Sequence, residues 1–168
     1  IPGEAIIRRV RAVALGLSAL GVRKGDRVAL LSENRPDWSV TDIAILSLGA
    51  VNVPIYTTQA PDQVRFILED SGARVLFVSG RKVFRHARPG IDGVESVERI
   101  IFLDDDAAQQ HDGSMSLFEL EKQGAELDEL TAKDMKSLSP ESLERLQTAL
   151  VTVTQMVDVA RRADGGSA

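Results

Sequence analysis

The sequence has no cysteine. That removes disulfide frameworks, thiolate metal sites and cysteine nucleophiles, and it agrees with a reducing compartment such as the cytoplasm. Histidine is almost as scarce. His86 and His111 stand alone, neither at metal-ligand spacing from a second imidazole, so both are expected as surface residues. No apolar run is long enough to cross a bilayer, and nothing ahead of the first helical pattern resembles a signal peptide. Cationic excess is missing too: the formal net charge is -5, which leaves no electrostatic footprint for nucleic acid or an anionic membrane. The basic cluster Arg81, Lys82, Arg85, Arg88 is short. Three chemical signatures are also absent. There is no G-x-G-x-x-G after a strand, no G-x-x-x-x-G-K-[ST], and no G-x-S-x-G nucleophile elbow.

What is present is the composition of an ordinary soluble domain. Its 168 residues are 43% hydrophobic and 27% charged, enough for one real core. Glu4 to Leu20 reads as an amphipathic helix, because Ile6, Val10, Val13, Leu17 and Leu20 recur on one face. Lys24-Gly25-Asp26 reads as a turn into the apolar run Arg27–Ser32, a strand covered on both faces. Pro36 and Asp37 then open a helix that carries Trp38, Ile43, Ala44, Ile45, Leu46 and Leu48. It is apolar almost all round and is expected to be buried, with Trp38 in the core. The alternation continues: strand Val51–Tyr56, helix from Pro61 to Gly72, strand Val75–Val78, a weaker helical piece at Val83–Ala87, and strand Arg99–Leu103.

This order predicts an α/β fold, a partial doubly wound and largely parallel sheet with helices on both faces, followed by a helical carboxy-terminal tail. The pattern changes after Asp104: a polar loop to Ser114, a short helix at Leu117–Leu127, and a further start signal at Ser139-Pro140. Val151–Thr154 suits a strand nearly as well as a helix. The expected division is an α/β part at 1–125 and a divergent, helical tail at 126–168. A start at Ile1 instead of Met and the polar end Asp164–Ala168 are what a piece cut from a longer protein would show.

Open α/β sheets bind ligands at the carboxyl ends of their strands. Ser32, Glu33, Asn34, Tyr56, Thr57, Thr58 and Ser79 fall there and are the positions to watch. Ser79-Gly80-Arg81-Lys82 has the donors to cradle a phosphate at a helix start, although Gly and Ser are more often plain turn residues. Asp104-Asp105-Asp106 follows a strand end, where carboxylates hold metals in many proteins. Three consecutive loop carboxylates point in different directions, so a solvated loop is expected.

Two stretches carry a resemblance. LSALGVRKGDRVALLSENRPDW at Leu17–Trp38 and AILSLGAVNVPIY at Ala44–Tyr56 resemble the amino-terminal region of adenylate-forming synthetases. That superfamily includes acyl-CoA synthetases, luciferases and peptide-synthetase adenylation domains. Leu46–Tyr56 matches its second core motif, L-K-A-G-x-A-Y-V-P-I-D, and QVRFILEDSGARVLFVS at Gln63–Ser79 continues its pattern. SENRPDW and the PIY ending look most like bacterial long-chain fatty acid ligases. The resemblance is clear from Arg8 to Leu103 and weakens after Leu120.

The matched positions are glycines, a proline and strand residues that punctuate structure, so they identify a family without locating catalysis. The resemblance implies a two-step reaction. A fatty carboxylate attacks the α-phosphate of ATP with Mg²⁺ neutralising the phosphates, and the thiol of coenzyme A then displaces AMP. The family's [ST]-[ST]-G-[ST]-T-G-x-P-K-G loop does not occur, and ALVTVTQMVDVARRADGGSA stands where it would begin. No catalytic, cofactor-binding or metal-binding residue is therefore assigned, and the chain by itself is expected to be inactive and to hold none of ATP, Mg²⁺ or CoA. Further expectations are a cytoplasmic location, peripheral at membranes for the parent enzyme, and association through apolar surface left uncovered. Two other readings remain: a non-catalytic α/β binding module on the same scaffold, and a flavodoxin-like or receiver-like regulatory domain. A receiver places an acidic pair after its first strand, whereas the acidic triplet here follows the fourth.

Overall fold

The computed structural model describes residues 3–109 and 113–137. The chain divides into two compact units, Ile1–Asp128 and Glu129–Ala168. The first is the α/β unit described here; of the second, the described residues 129–137 are helical. The expectations for Ser139-Pro140, for Val151–Thr154 and for His111 lie outside the described residues.

Helix α1 (Gly3–Ala19) buries Val13 and Leu17 completely, with Ile6, Val10 and Leu20 packed beside them. Gly25, at φ +86°, turns the chain into β1 (Arg27–Leu31), a conformation that any side chain would strain. There follow α2 (Pro36–Ser47), β2 (Val51–Ile55), α3 (Pro61–Ser71), β3 (Val75–Val78), α4 (Arg81–Ile91) and β4 (Arg99–Phe102). A one-turn α5 (Asp105–Ala108), a two-residue β5 (Met115–Ser116) and α6 (Leu117–Ser137) complete the described elements.

All four strand pairings are parallel, in the order β2-β1-β3-β4-β5. Successive strand residues face opposite ways, so the sheet feeds two cores. Val28, Leu30, Val75, Phe77 and Ile101 join α1, α2 and the start of α6. Ala29, Leu31, Leu76, Val78 and Phe102 join α3, α4 and α5. On the second face Phe84 meets Phe102 edge to face, with ring centroids 5.2 Å apart. Val28–Leu31 of β1 and the whole of β3 are buried, as their uninterrupted apolar runs predict.

Several expectations need correction. α2 is not buried all round: Val40, Thr41, Ala44 and Ile45 face inward, while Ile43 is 48% and Leu46 56% exposed. A helix on an open sheet has only one face to bury, however apolar the other is. Trp38 is half-buried against the first core. β2 is a strand as expected, but it lies at the sheet edge with Val51 exposed. α4 starts earlier and ends later than its weak pattern suggests, running through Pro89 in its last turn. The loop after Asp104 contains α5, and β5 is too short for any periodicity to reveal. α6 is longer than expected. Its start is fixed by a capping box: Glu119 accepts from the Ser116 N–H at 2.8 Å, and the Glu119 N–H donates to Ser116 Oγ at 3.2 Å.

Candidate functional site

The strand order reverses between β1 and β3, since their outer neighbours β2 and β4 lie on opposite sides. At such a switch point the loops leaving the two strands diverge and leave a crevice outside their carboxyl ends. The structure has a cavity of about 710 Å³ there, bordered among others by Glu33 from the β1 end, Thr57 and Thr58 from the β2 end, Ser79 and Gly80 from the β3 end, and Asp104 from the β4 end. Arg81, Lys82, Val83 and His86 of α4 supply another wall.

Of the strand-end positions singled out in the sequence, Glu33, Thr57, Thr58 and Ser79 are brought together and Ser32, Asn34 and Tyr56 are not. Ser32 turns its hydroxyl onto the Glu33 carbonyl at 2.8 Å, and Tyr56 is 76% exposed. The whole of Ser79-Gly80-Arg81-Lys82 borders the cavity, as does Asp104 of the acidic triplet. His86 and Val83 were not legible as site residues. His86 comes in because α4 begins at Arg81 and is helical over its whole first turn, which places residue 86 on the crevice side with Nε2 3.1 Å from the Gln59 carbonyl.

A chain of ion pairs braces this end of the sheet. Arg9 bonds Glu121 at 2.6 Å and Asp37 at 2.8 Å, while Arg35 bonds Asp37 at 3.0 Å and Asp104 at 2.8 Å. Asp104 therefore reaches the crevice with one oxygen already on a guanidinium. It also lies against Gly80, where even a methyl group would collide with its carboxylate. Asp106 pairs with Arg81, which holds its carboxyl below the usual carboxylate range.

The acidic triplet is thus split between two arginines, with Asp105 exposed, and does not fit a Mg²⁺ site. Among the described residues no group of three His, Cys or carboxylate side chains is placed to hold a metal. The cavity's charges are balanced, Glu33 and Asp104 against Arg81 and Lys82. That does not fit a triphosphate, which needs a surplus of cations and a run of backbone N–H donors. Ser79 is the unmatched group: the residue is wholly buried, and its Oγ has no hydrogen-bond partner among the described residues.

A parallel, doubly wound sheet with a mixed polar crevice at its switch point defines an α/β ligand-binding unit, and its strand order is shared by flavodoxin-like domains. Sequence comparison separates these. Residues 5–152 match the model of the AMP-binding enzyme family, and the chain belongs to that family. The match runs past the point where the resemblance weakens by eye.

Among curated relatives, the long-chain-fatty-acid–CoA ligase FadD15 of Mycobacterium bovis is 55% identical over 69 residues, 41% of this chain and 12% of the relative. Long chain acyl-CoA synthetase 7 (peroxisomal) of Arabidopsis thaliana is 40% identical over 75 residues, 45% of this chain and 11% of the relative. The chain thus spans about one-eighth of the length of these relatives. Among solved structures, the adenylation domain of a carboxylate reductase from Mycobacterium chelonae superposes with a TM-score of 0.65 at 27% identity, over 72% of this chain and 22% of that one. An anthranilate CoA ligase in complex with anthranoyl-AMP gives 0.61 at 26% identity, over 70% of this chain and 21% of that one. Among the described residues, no helix is long and apolar enough to cross a membrane.

Proposed function

We propose that this chain is an amino-terminal part of an ATP-dependent, AMP-forming ligase that activates a long-chain fatty acid as its acyl adenylate and passes the acyl group to coenzyme A. The observation that carries the reading is the family match over residues 5–152, joined to relatives named as long-chain fatty acid ligases. In the full enzyme the carboxylate oxygen bonds the α-phosphorus of ATP and pyrophosphate leaves. The CoA sulfur then bonds the acyl carbon and AMP leaves.

The role of this part is scaffolding. β1, β3 and α4 hold the crevice rim in place, and the Arg9–Asp37–Arg35–Asp104 chain fixes the loops that border it. The chain alone is inactive and holds neither ATP, Mg²⁺ nor CoA, because the charges lining its crevice are balanced and leave no surplus of cations to stabilise a transferring phosphoryl group. The parent works in the cytoplasm, peripheral at membranes. The α/β part reaches about residue 125, and the segment after it is a separate, divergent tail.

A second reading, a binding module without catalysis, is favoured by one relative. An uncharacterized protein of Mycobacterium tuberculosis is 31% identical over 96 residues, and those residues make up 53% of it, so a short chain on this scaffold exists elsewhere. ATP–pyrophosphate exchange with a panel of fatty acids separates the two. Exchange absent from the chain alone but restored by adding the carboxy-terminal remainder of a long-chain ligase supports the ligase reading. Exchange by the chain alone would overturn its inactivity, and silence in both mixtures would leave the binding module as the better account.

A further inference from the structure

We propose that the outer side of α3 and α4 is a self-complementary docking surface for a second copy of this chain, in which the cationic α4 of each copy lies on the acidic α3 of the other. The inference stands on this surface and not on the ligase reading.

α3 and α4 lie side by side on the second face of the sheet, packed so closely that a methyl group on Gly90 would strike the Pro61 carbonyl. Their outward sides carry opposite charge. On α4, Arg81, Lys82, Arg85, His86 and Arg88 are exposed, and the helix has no acidic residue. On α3, Asp62, Glu69 and Asp70 are exposed. The cation of α3, Arg65, is turned away onto the Pro89 and Asp92 carbonyls at 2.9 and 2.6 Å. Several of the outward charges stay unmatched. Arg81 pairs with Asp106, Arg88 with Asp92 and Glu69 with Arg65, whereas Lys82, Arg85, Asp62 and Asp70 have no ion pair among the described residues.

The neighbouring positions of the two helices decide the kind of partner. A two-fold axis between them brings the α4 of one copy over the α3 of the other, and the same contact is then made twice. A cationic surface alone would suit a polyanion, but the unmatched carboxylates beside it repel one. Phe66 stands out of α3 with 67% of its surface exposed. With Asp62, Gln59, Gln63 and Ile67 it borders a hollow of about 340 Å³. An apolar wall with a carboxylate and two amides at its edge has the chemistry of a slot for arginine: the stem packs on the ring and the guanidinium reaches the carboxylate. Arg85 is an exposed arginine of α4 that no described carboxylate holds. The charges steer the approach and set its register, while the covered ring supplies the anchor.

The test is sedimentation of the 168-residue chain over a range of protein and salt concentrations. A monomer–dimer equilibrium is expected that weakens as ionic strength rises from about 0.05 to about 0.5 M, because exposed charges are screened. Arg85→Ala and Phe66→Ser, both at exposed positions, should each weaken dimerisation about tenfold or more, since the symmetry removes the contact twice over. Reversing the cationic side (Lys82→Glu with Arg85→Glu) or the acidic side (Asp62→Lys with Asp70→Lys) should leave monomers. Mixing the two reversed chains should restore a heterodimer, which misfolded variants would not do. The single substitutions keep the test decisive should a reversed chain not fold. The proposal is overturned by a chain that stays monomeric throughout, or by folded reversed chains that do not pair when mixed. A dimer that tightens with salt and survives these substitutions would also overturn it and place the interface on the exposed Ile43 and Leu46 of α2. A monomer that instead sediments with phosphatidylserine vesicles would overturn it in favour of a lipid surface.

Discussion

The two ends of the same sheet are built differently. At the amino end, two arginines tie the strand starts together, although Asn52 Oδ1 near the start of β2 has no partner among the described residues. Arg27 donates to the Ser71 carbonyl at 2.6 Å and the Gly72 carbonyl at 3.3 Å, closing the last turn of α3 onto the start of β1. Arg74, just ahead of β3, bonds Asp26 at 2.9 Å and Glu98 at 2.9 Å, tying the starts of β1, β3 and β4 together. At the carboxyl end Arg35 and Arg9 make similar ties, but the middle of the rim is left unmatched. There Ser79 Oγ has no partner among the described residues, the start of α4 has no side-chain cap, and Lys82, Thr57 and Thr58 border a cavity. The difference teaches where the fold is closed and where it is left open to a ligand. A switch point forces two loops apart at one end only, so donors there cannot reach each other, whereas short turns at the other end bring them into contact.

Three substitutions sharpen or break this contrast. Gly72→Ala, at the closed end, should have the largest effect. Gly72 sits at φ +61°, and an added Cβ would press on the Arg27 guanidinium, so a loss of about 1–2 kcal/mol in denaturant unfolding is expected. Ser79→Ala, at the open end, should act in the opposite direction. Removing a buried hydroxyl with no partner should leave stability unchanged or raise it by up to about 1 kcal/mol. A clear loss there would mean the hydroxyl is matched in solution, and the contrast between the two ends would fail.

The smallest effect is a pH dependence. The Arg23 backbone N–H, and after it Arg74, hold the Asp26 carboxyl below its ordinary value. A depressed folded pKa contributes stability above the unfolded value of about 3.9 and loses it as pH falls through the folded one. Asp26→Asn should therefore be destabilised relative to wild type at neutral pH, with the gap closing in acid. A gap that stays constant down to strongly acid pH would remove Asp26 from the closed end's account.

Much of the fold was legible residue by residue. The alternation from Val13 to Phe102 gave the order of elements, and the uninterrupted runs at β1 and β3 gave their burial. The exposed face of α2 was not legible: Ile43 and Leu46 are as apolar as Ile45, and only the position of the sheet decides which are covered. β5 carries no periodicity in two residues, yet the Ser116-x-x-Glu119 spacing behind it was a readable helix-start signal. Of the seven strand-end positions singled out in the sequence, Glu33, Thr57, Thr58 and Ser79 border the cavity. His86 and Asp104 were set aside as surface and loop residues. Their place on the crevice depends on where α4 starts and on Arg35, 69 positions away, reaching Asp104.

By itself, then, the sequence determined an α/β chain with parallel strands, its punctuation at Gly25 and Gly72, and its membership of a family, because these depend on local pattern and on residue order. Tertiary structure alone decided that β1 and β3 are neighbours with β2 outside them, that one face of α2 stays open, and that Ser79, Lys82 and Asp104 share a crevice. Strand order is set by how apolar faces are shared among helices far apart in the chain, and local periodicity carries no record of that sharing.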